Sequence, residues 1–141
     1  MSDQHARSDR RTVDTIQRVE NAAIAAAIVV AVIASGLPWW WLLAAFLLFD
    51  LSAIGYAAGP RVGARMYNAV HNYTAPAVIL AAYAGLILSG WNLPWLAVVA
   101  ASWGFHVAVD RALGYGLKLQ DFSHTHLGRI GRERRAEPSR S

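Results

Sequence analysis

The sequence predicts an all-α integral membrane bundle of four transmembrane helices with both termini in the cytoplasm. Hydrophobic residues make up 55% of the 141-residue chain and charged residues only 16%. The charges lie almost entirely at the two chain ends and in one short central segment. The apolar stretches between them are longer than a soluble domain of this size would bury.

Turn signals divide these stretches into four spans. Glycine closely followed by proline, at 36–38 and at 59–60, ends one helix and begins the next, and the sequence SGWN at 89–92 forms the third turn. The predicted spans are 17–36, 39–58, 62–88 and 93–113, each long enough to cross about 30 Å of hydrocarbon. A polar N-terminal tail (1–16) and a C-terminal tail (114–141) flank them, and the charged segment beyond about residue 132 is predicted to be disordered.

The basic residues set the orientation. All 13 Lys and Arg lie in residues 7–18, in residues 61–65 or from Arg111 onward. An even number of spans places these three regions on one side, which the positive-inside rule makes the cytoplasm. Tryptophans at 39–41, 91 and 95 then form an aromatic belt at the other interface.

Topology also explains the formal net charge of +4, so nucleic acid is not an expected partner. The expected partner is the lipid bilayer, and homo-oligomerisation is left open. The absence of cysteine excludes disulfides, thiolate metal sites and cysteine nucleophiles.

Ionisable side chains inside the spans are the main functional signal, because such groups are costly in a bilayer. Every span carries at least one, in its cytoplasmic half: Glu20, Asp50, His71, and the pair His106 and Asp110, which are four residues apart and so share a helix face. If they faced outward they would be exposed to lipid, so we expect them to converge.

Imidazoles and carboxylates from separate helices are typical of a metal site for Zn, Fe or Mn. The predicted ligands are His71, His106 and Asp110, with Asp50 as a fourth ligand or as the catalytic base that activates a water. Such a site could serve a metal-dependent hydrolase that acts on a lipid-like or headgroup substrate. Further residues are predicted to be peripheral to the site (Glu20, Asn68, Asn72, His124, His126) or to attract a phosphate headgroup at the rim (Arg61, Arg111).

Three other interpretations of these residues stay open. The cluster could be a polar network in a non-catalytic structural or regulatory protein. It could instead be a proton relay. His71 and His106 could also be axial ligands of haem b, although the neighbouring carboxylates make this the weaker alternative.

Glycine, proline and the C-terminal histidines add local expectations. Pro76 cannot donate to the carbonyl of Asn72 and so predicts a kink beside His71. Glycines at 55, 59 and 63 are interpreted mainly as turn glycines, since Pro60 interrupts the series that a dimerisation face would need. The His-x-His pair at 124–126 could fold under the bundle, but an exposed tail is favoured.

Several of these segments resemble DUF4260, a bacterial family of small membrane proteins defined only as a domain of unknown function. The resemblance covers roughly residues 18–131 and rests on RVE at 18–20, FDLSAIGYAAGPRVGARMYNAVHNYTAP at 49–76, HVAVDRALGYGLK at 106–118 and DFSHTHLG at 121–128. Where the family usually has Pro-Asp, this chain has Phe49-Asp50. The resemblance implies a bacterial inner membrane and motif residues at 20, 50, 56, 68, 71, 106, 110, 111, 124 and 126, but no chemistry. The pattern is also loosely similar to that of bacterial membrane-bound metal-dependent hydrolases.

Overall fold

The computed structural model describes residues 2–118, 124–125 and 128–129. Within them the chain forms six α-helices, one 3₁₀ helix and a two-stranded antiparallel hairpin. In chain order these are α1 (Ser2–Ala34), α2 (Trp41–Ala44), α3 (Phe46–Asp50), the 3₁₀ helix (Leu51–Ala58), α4 (Pro60–Val70), α5 (Thr74–Leu88), α6 (Pro94–Leu113), β1 (His124–Thr125) and β2 (Gly128–Arg129). The disorder predicted beyond about residue 132 falls outside the described residues.

Four helical segments are long and apolar enough to cross a membrane: Arg11–Ala34, Trp41–Ala58, Pro60–Leu88 and Pro94–Leu113. Large apolar side chains on their outer surfaces are exposed, among them Val30, Leu47, Ile54 and Leu88. A monomeric soluble protein rarely exposes a continuous apolar surface of this kind. Length and composition therefore indicate a multi-pass membrane protein. The polar segment predicted as a tail (1–16) is helical from Ser2 and continues into the first span.

Helix α6 is the centre of the bundle and packs against α1, α5, α2 and α3. Small residues on its buried face allow these neighbours to approach closely. A Cβ atom at Gly104, for example, would contact both Ile28 of α1 and Pro76 of α5. The side chains of His106 and Val107 are fully buried, so the most enclosed part of the molecule is the second half of α6.

The second span, predicted as one helix, is divided into α2, α3 and the 3₁₀ helix. The 3₁₀ helix packs against α4, and Gly55 and Gly63 lie at this contact. A Cβ atom on Gly55 would overlap Met66, and one on Gly63 would overlap the ring of Tyr56. The interpretation as turn glycines is therefore wrong for these two positions. It holds for Gly59, which ends the 3₁₀ helix with φ of 116°.

The third span is broken at residues 71–73, between α4 and α5. Pro76 lies in the first turn of α5, where its missing N–H removes no helical bond. The predicted kink is thus a complete break one turn before the proline. The side chain of Asn72 bridges it: its amide N–H groups donate to the carbonyls of Asn68 (2.7 Å) and Ala69 (2.9 Å), and its oxygen accepts from the N–H of Thr74 (2.8 Å).

Two side chains of α6 donate hydrogen bonds to the backbone carbonyls of Val70 and His71 at the break. The indole N–H of Trp103 donates to the carbonyl of Val70 (2.6 Å), and the guanidinium of Arg111 donates to the carbonyl of His71 (3.2 Å). Buried carbonyls without partners would be costly in a membrane. These bonds therefore stabilise the break and hold it against α6.

Candidate metal site

Four of the predicted site residues meet at the centre of the bundle. Asp50, His71, His106 and Asp110 each offer one ligand atom, and these atoms all lie within 4.8 Å of one another. Asp50 is the last residue of α3, and His71 is the C-cap of α4, where the third span breaks. His106 and Asp110 share one face of α6. Three of the four spans therefore contribute.

The distances between these atoms fit a single coordinated ion. The two Nε2 atoms are 3.0 Å apart. Nε2 of His71 lies 3.5 Å from Oδ1 of Asp50 and 3.5 Å from Oδ2 of Asp110. The corresponding distances from Nε2 of His106 are 3.7 and 3.9 Å. In a tetrahedral zinc site with nitrogen and oxygen ligands, ligand atoms are about 3.4 Å apart, which is close to the separations of the two nitrogens from each other and from the carboxylates.

Backbone bonding fixes the tautomer of His71. Its Nδ1 lies 3.0 Å from the carbonyl oxygen of Tyr67, and a carbonyl can only accept a hydrogen bond. Nδ1 therefore carries the proton, and Nε2 of the neutral ring presents a lone pair to the cluster. Metal-binding histidines are commonly oriented in this way by a bond from the other ring nitrogen.

Tyr67 connects two members of the cluster. Its ring stacks on that of His71, with centroids 3.6 Å apart and planes 10° from parallel. Its hydroxyl donates to Oδ2 of Asp110 over 3.2 Å. One side chain thus orients both an imidazole and a carboxylate.

The site is enclosed on all sides but one. The exposed fractions of the side chains are 0% for His106, 3% for His71 and 13% for Asp110, but 47% for Asp50. Phe46 and Phe49 cover His106, with ring centroids 4.6 and 5.3 Å from its own. The open side therefore lies at Asp50.

Electron-pair donors dominate the cluster. Two carboxylates face two imidazole nitrogens, and Nε2 of His71 carries no proton in the neutral ring. Nδ1 of His106 is buried beside the backbone of Phe46. Burying such groups is costly unless they are paired or bind a cation, so the arrangement can hold a metal ion or a protonated imidazole.

The other predicted site residues lie outside this group of four. Glu20 is exposed on α1, because α1 packs on α6 through a different face, so it does not join the expected convergence. Asn72 bridges the α4–α5 break. Arg111 is half-buried and bonds to the carbonyl of His71, whereas Arg61 is exposed at the start of α4. The side chain of His124 and the whole of His126 lie outside the described residues.

Asn68 ties the segment after α6 to α4. Its amide donates to the carbonyl of Lys118 and its oxygen accepts from the N–H of Lys118, both over 2.7 Å. The ammonium of Lys118 lies 5.0 Å from the ring centroid of Tyr67, within the range of a cation–π interaction. The expectation of an exposed tail is therefore wrong as far as Lys118, which is only 2% exposed.

Sequence reasoning missed Tyr67, Phe46 and Lys118 as neighbours of the cluster. A signal existed for Tyr67, because it lies four residues before His71 in YNAVH and so on the same helix face. No comparable signal existed for Phe46 or Lys118, since their proximity depends on how separate segments pack.

Fold and site together define a multi-pass α-helical membrane protein with a buried His/Asp cluster that could hold a metal ion. The chain belongs to the DUF4260 family, a domain of unknown function whose model matches residues 14–130. Comparison with curated proteins and with solved structures finds no match. The family match covers most of the chain but assigns no activity. Any chemical function must therefore be inferred from the geometry of the site.

Proposed function

We propose that this protein binds one divalent metal ion, zinc before iron or manganese, through His71, His106 and Asp110, with Asp50 beside the fourth coordination position. The observation that carries the proposal is the meeting of four donor atoms within 4.8 Å, with the nitrogen–nitrogen and nitrogen–oxygen separations between 3.0 and 3.9 Å. Two imidazole nitrogens and one carboxylate oxygen, with the fourth position left for water, suit zinc best. The bond from His71 to the Tyr67 carbonyl, which aims Nε2 at the cluster, supports it independently.

The uneven burial favours a catalytic site over a structural one. Structural zinc sites are closed, whereas catalytic sites keep one position open. Here three donors are buried and Asp50 lies half-exposed at the opening. A divalent ion at such a place acts as a Lewis acid and acidifies a coordinated water. Asp50 is positioned to accept the proton, so the reaction class we propose is hydrolysis of a lipid-like substrate from the cytoplasmic side.

The same geometry argues against haem. A macrocycle held by both histidines would have to lie between their rings, but the ring centroids are only 4.9 Å apart. The rival function is non-catalytic: Nε2–H of His106 would donate to Nε2 of His71, and the network would serve only to hold the helices together.

Elemental analysis of protein purified in mild detergent tests the metal. We expect about one metal ion per chain in the wild type and none in His71→Ala or His106→Ala. His5→Ala, which removes an exposed histidine outside the cluster, should retain the metal. An absorbance scan checks for the Soret band of haem. A wild type without metal, even after incubation with zinc, iron(II) and manganese(II), would leave the structural network as the function.

Hydrolysis is tested on vesicles of bacterial lipid extract, with released fatty acids and headgroups followed by mass spectrometry. Asp50→Asn should lower the rate by at least about 100-fold, because a general base contributes about that much or more. The rate is compared at equal metal content, so that loss of the ion is separated from loss of the base. Equal hydrolysis rates in the wild type and in Asp50→Asn would show that Asp50 is not the base.

A further inference from the structure

A second feature of the bundle is an apolar cavity of about 700 Å³ between the end of the first span, the second span and α6. Its lining includes Trp41, Ala45, Leu48, Phe49, Trp95 and Ser102. A volume of this size lies within the range of about 300–1,000 Å³ found for small-molecule sites.

The cavity begins beside the cluster of His and Asp side chains. Phe49, in its lining, directly precedes Asp50 and contacts the ring of His106. Ser102, also in the lining, lies one helical turn before His106 on α6. From there the cavity extends to Trp95, seven residues and so about 10 Å nearer the start of α6. It therefore runs away from the membrane surface nearest the cluster.

Ser102 is a polar group without a partner in this apolar lining. The residue is only 2% exposed, and its hydroxyl makes no hydrogen bond within the described residues. Serine in a helix often bonds to the carbonyl four residues back, but this one does not. A buried hydroxyl without a hydrogen bond is costly. This indicates that a ligand in the cavity supplies a hydrogen-bond acceptor for the hydroxyl of Ser102.

We propose that the cavity holds the acyl chain of an ester-linked monoacyl lipid, with the ester carbonyl bonded to the hydroxyl of Ser102. This inference rests on the proposed function, since it supplies the substrate class of the metal site. The polar head lies at the cluster, and the chain extends along α6 toward Trp95 at the other end of the bundle.

Two tryptophan substitutions on α3 test the cavity. Leu48→Trp fills it, because Leu48 is part of the lining. Leu47→Trp is the matched control, since Leu47 is 73% exposed and not part of the lining. Lysophosphatidylcholine is titrated into the full-length protein in detergent, and bound lipid is counted by native mass spectrometry. We expect one lipid per chain, an affinity at least tenfold lower in Leu48→Trp, and no change in Leu47→Trp.

Ser102→Ala tests the hydrogen bond to the ester. We expect this variant to bind the ester-linked lipid about fivefold more weakly, as is typical for loss of one neutral hydrogen bond, and to bind the ether-linked analogue as the wild type does.

Equal binding by the wild type and Leu48→Trp, equal losses in both tryptophan variants, or no binding by the wild type would each overturn the inference. Zinc content is measured on the same samples. Absence of zinc with lipid still bound would refute only the metal function, and zinc without lipid binding only the cavity.

Discussion

Tyr67 does the most to organise the cluster among the residues that are not themselves candidate ligands. Its carbonyl fixes the tautomer of His71, its ring stacks on the same imidazole, and its hydroxyl bonds to Asp110. It is a positioning residue, because its hydroxyl reaches the cluster only through Asp110. Sequence reasoning missed it, although its position four residues before His71 puts it on the same helix face.

Tyr67→Phe should keep the stacked ring and lose only the bond to Asp110. Removal of a residue that orients a metal ligand typically lowers affinity by 10- to 100-fold, and we expect about tenfold here. Competition with a zinc chelator measures it. Tyr83→Phe is the control, because its hydroxyl bonds to Asn92 at the other end of the bundle. An unchanged zinc affinity in Tyr67→Phe would argue that Asp110 does not bind the ion.

At the scale of elements, the contact between the 3₁₀ helix and α4 determines where Asp50 lies. The 3₁₀ helix follows Asp50 directly, and glycines on both sides of the contact allow the backbones to approach closely. This packing also places Ser52 beside the ring of His71, with its hydroxyl 3.5 Å from Nδ1.

Gly63→Ala tests this packing. The added methyl group would overlap the Tyr56 ring, and overpacking of this kind costs about 1–3 kcal/mol of the free energy of unfolding. Gly85→Ala is the matched control within another helix, where a Cβ atom meets nothing within 4 Å and the change should be neutral or stabilising. Unfolding by sodium dodecyl sulfate, followed by circular dichroism, measures both variants. Equal stability of the two would contradict the close packing described for Gly63.

At the scale of the whole molecule, the orientation in the membrane decides which side has access to the cluster. His106 lies 12 residues from the start of α6 and seven from its end, so the cluster is nearer the surface where the fourth span ends. The distribution of Lys and Arg predicts that this surface is cytoplasmic.

Cysteine labelling tests the orientation directly, because the natural chain has no cysteine. Ser89→Cys lies in the turn before α6, and Arg61→Cys lies at the start of α4; both positions are exposed. In intact spheroplasts a membrane-impermeant maleimide should label Ser89→Cys, and it should label Arg61→Cys only after lysis. The opposite pattern would invert the bundle and put the cluster within reach of the external side.

The sequence was sufficient to predict the four spans and how far along them the ionisable residues lie. Both follow from position along the chain. An apolar stretch in a helix spans a fixed length per residue, and the distance along the helix from His71 or Asp110 to the nearest basic segment is fixed in the same way. The sequence also pointed to an irregularity near Pro76, but as a kink, whereas the structure has a new helix that begins there and accommodates the proline in its first turn.

Only the tertiary structure decided which of these side chains meet. The rotation of each helix about its axis and the places where helices break depend on packing between segments distant in sequence. Glu20 lies outside the cluster because α1 presents another face to α6. His71 lies inside it because Trp103 and Arg111 hold the broken third span against α6. Position along a helix is a local property, whereas direction toward a common centre is set by the whole bundle.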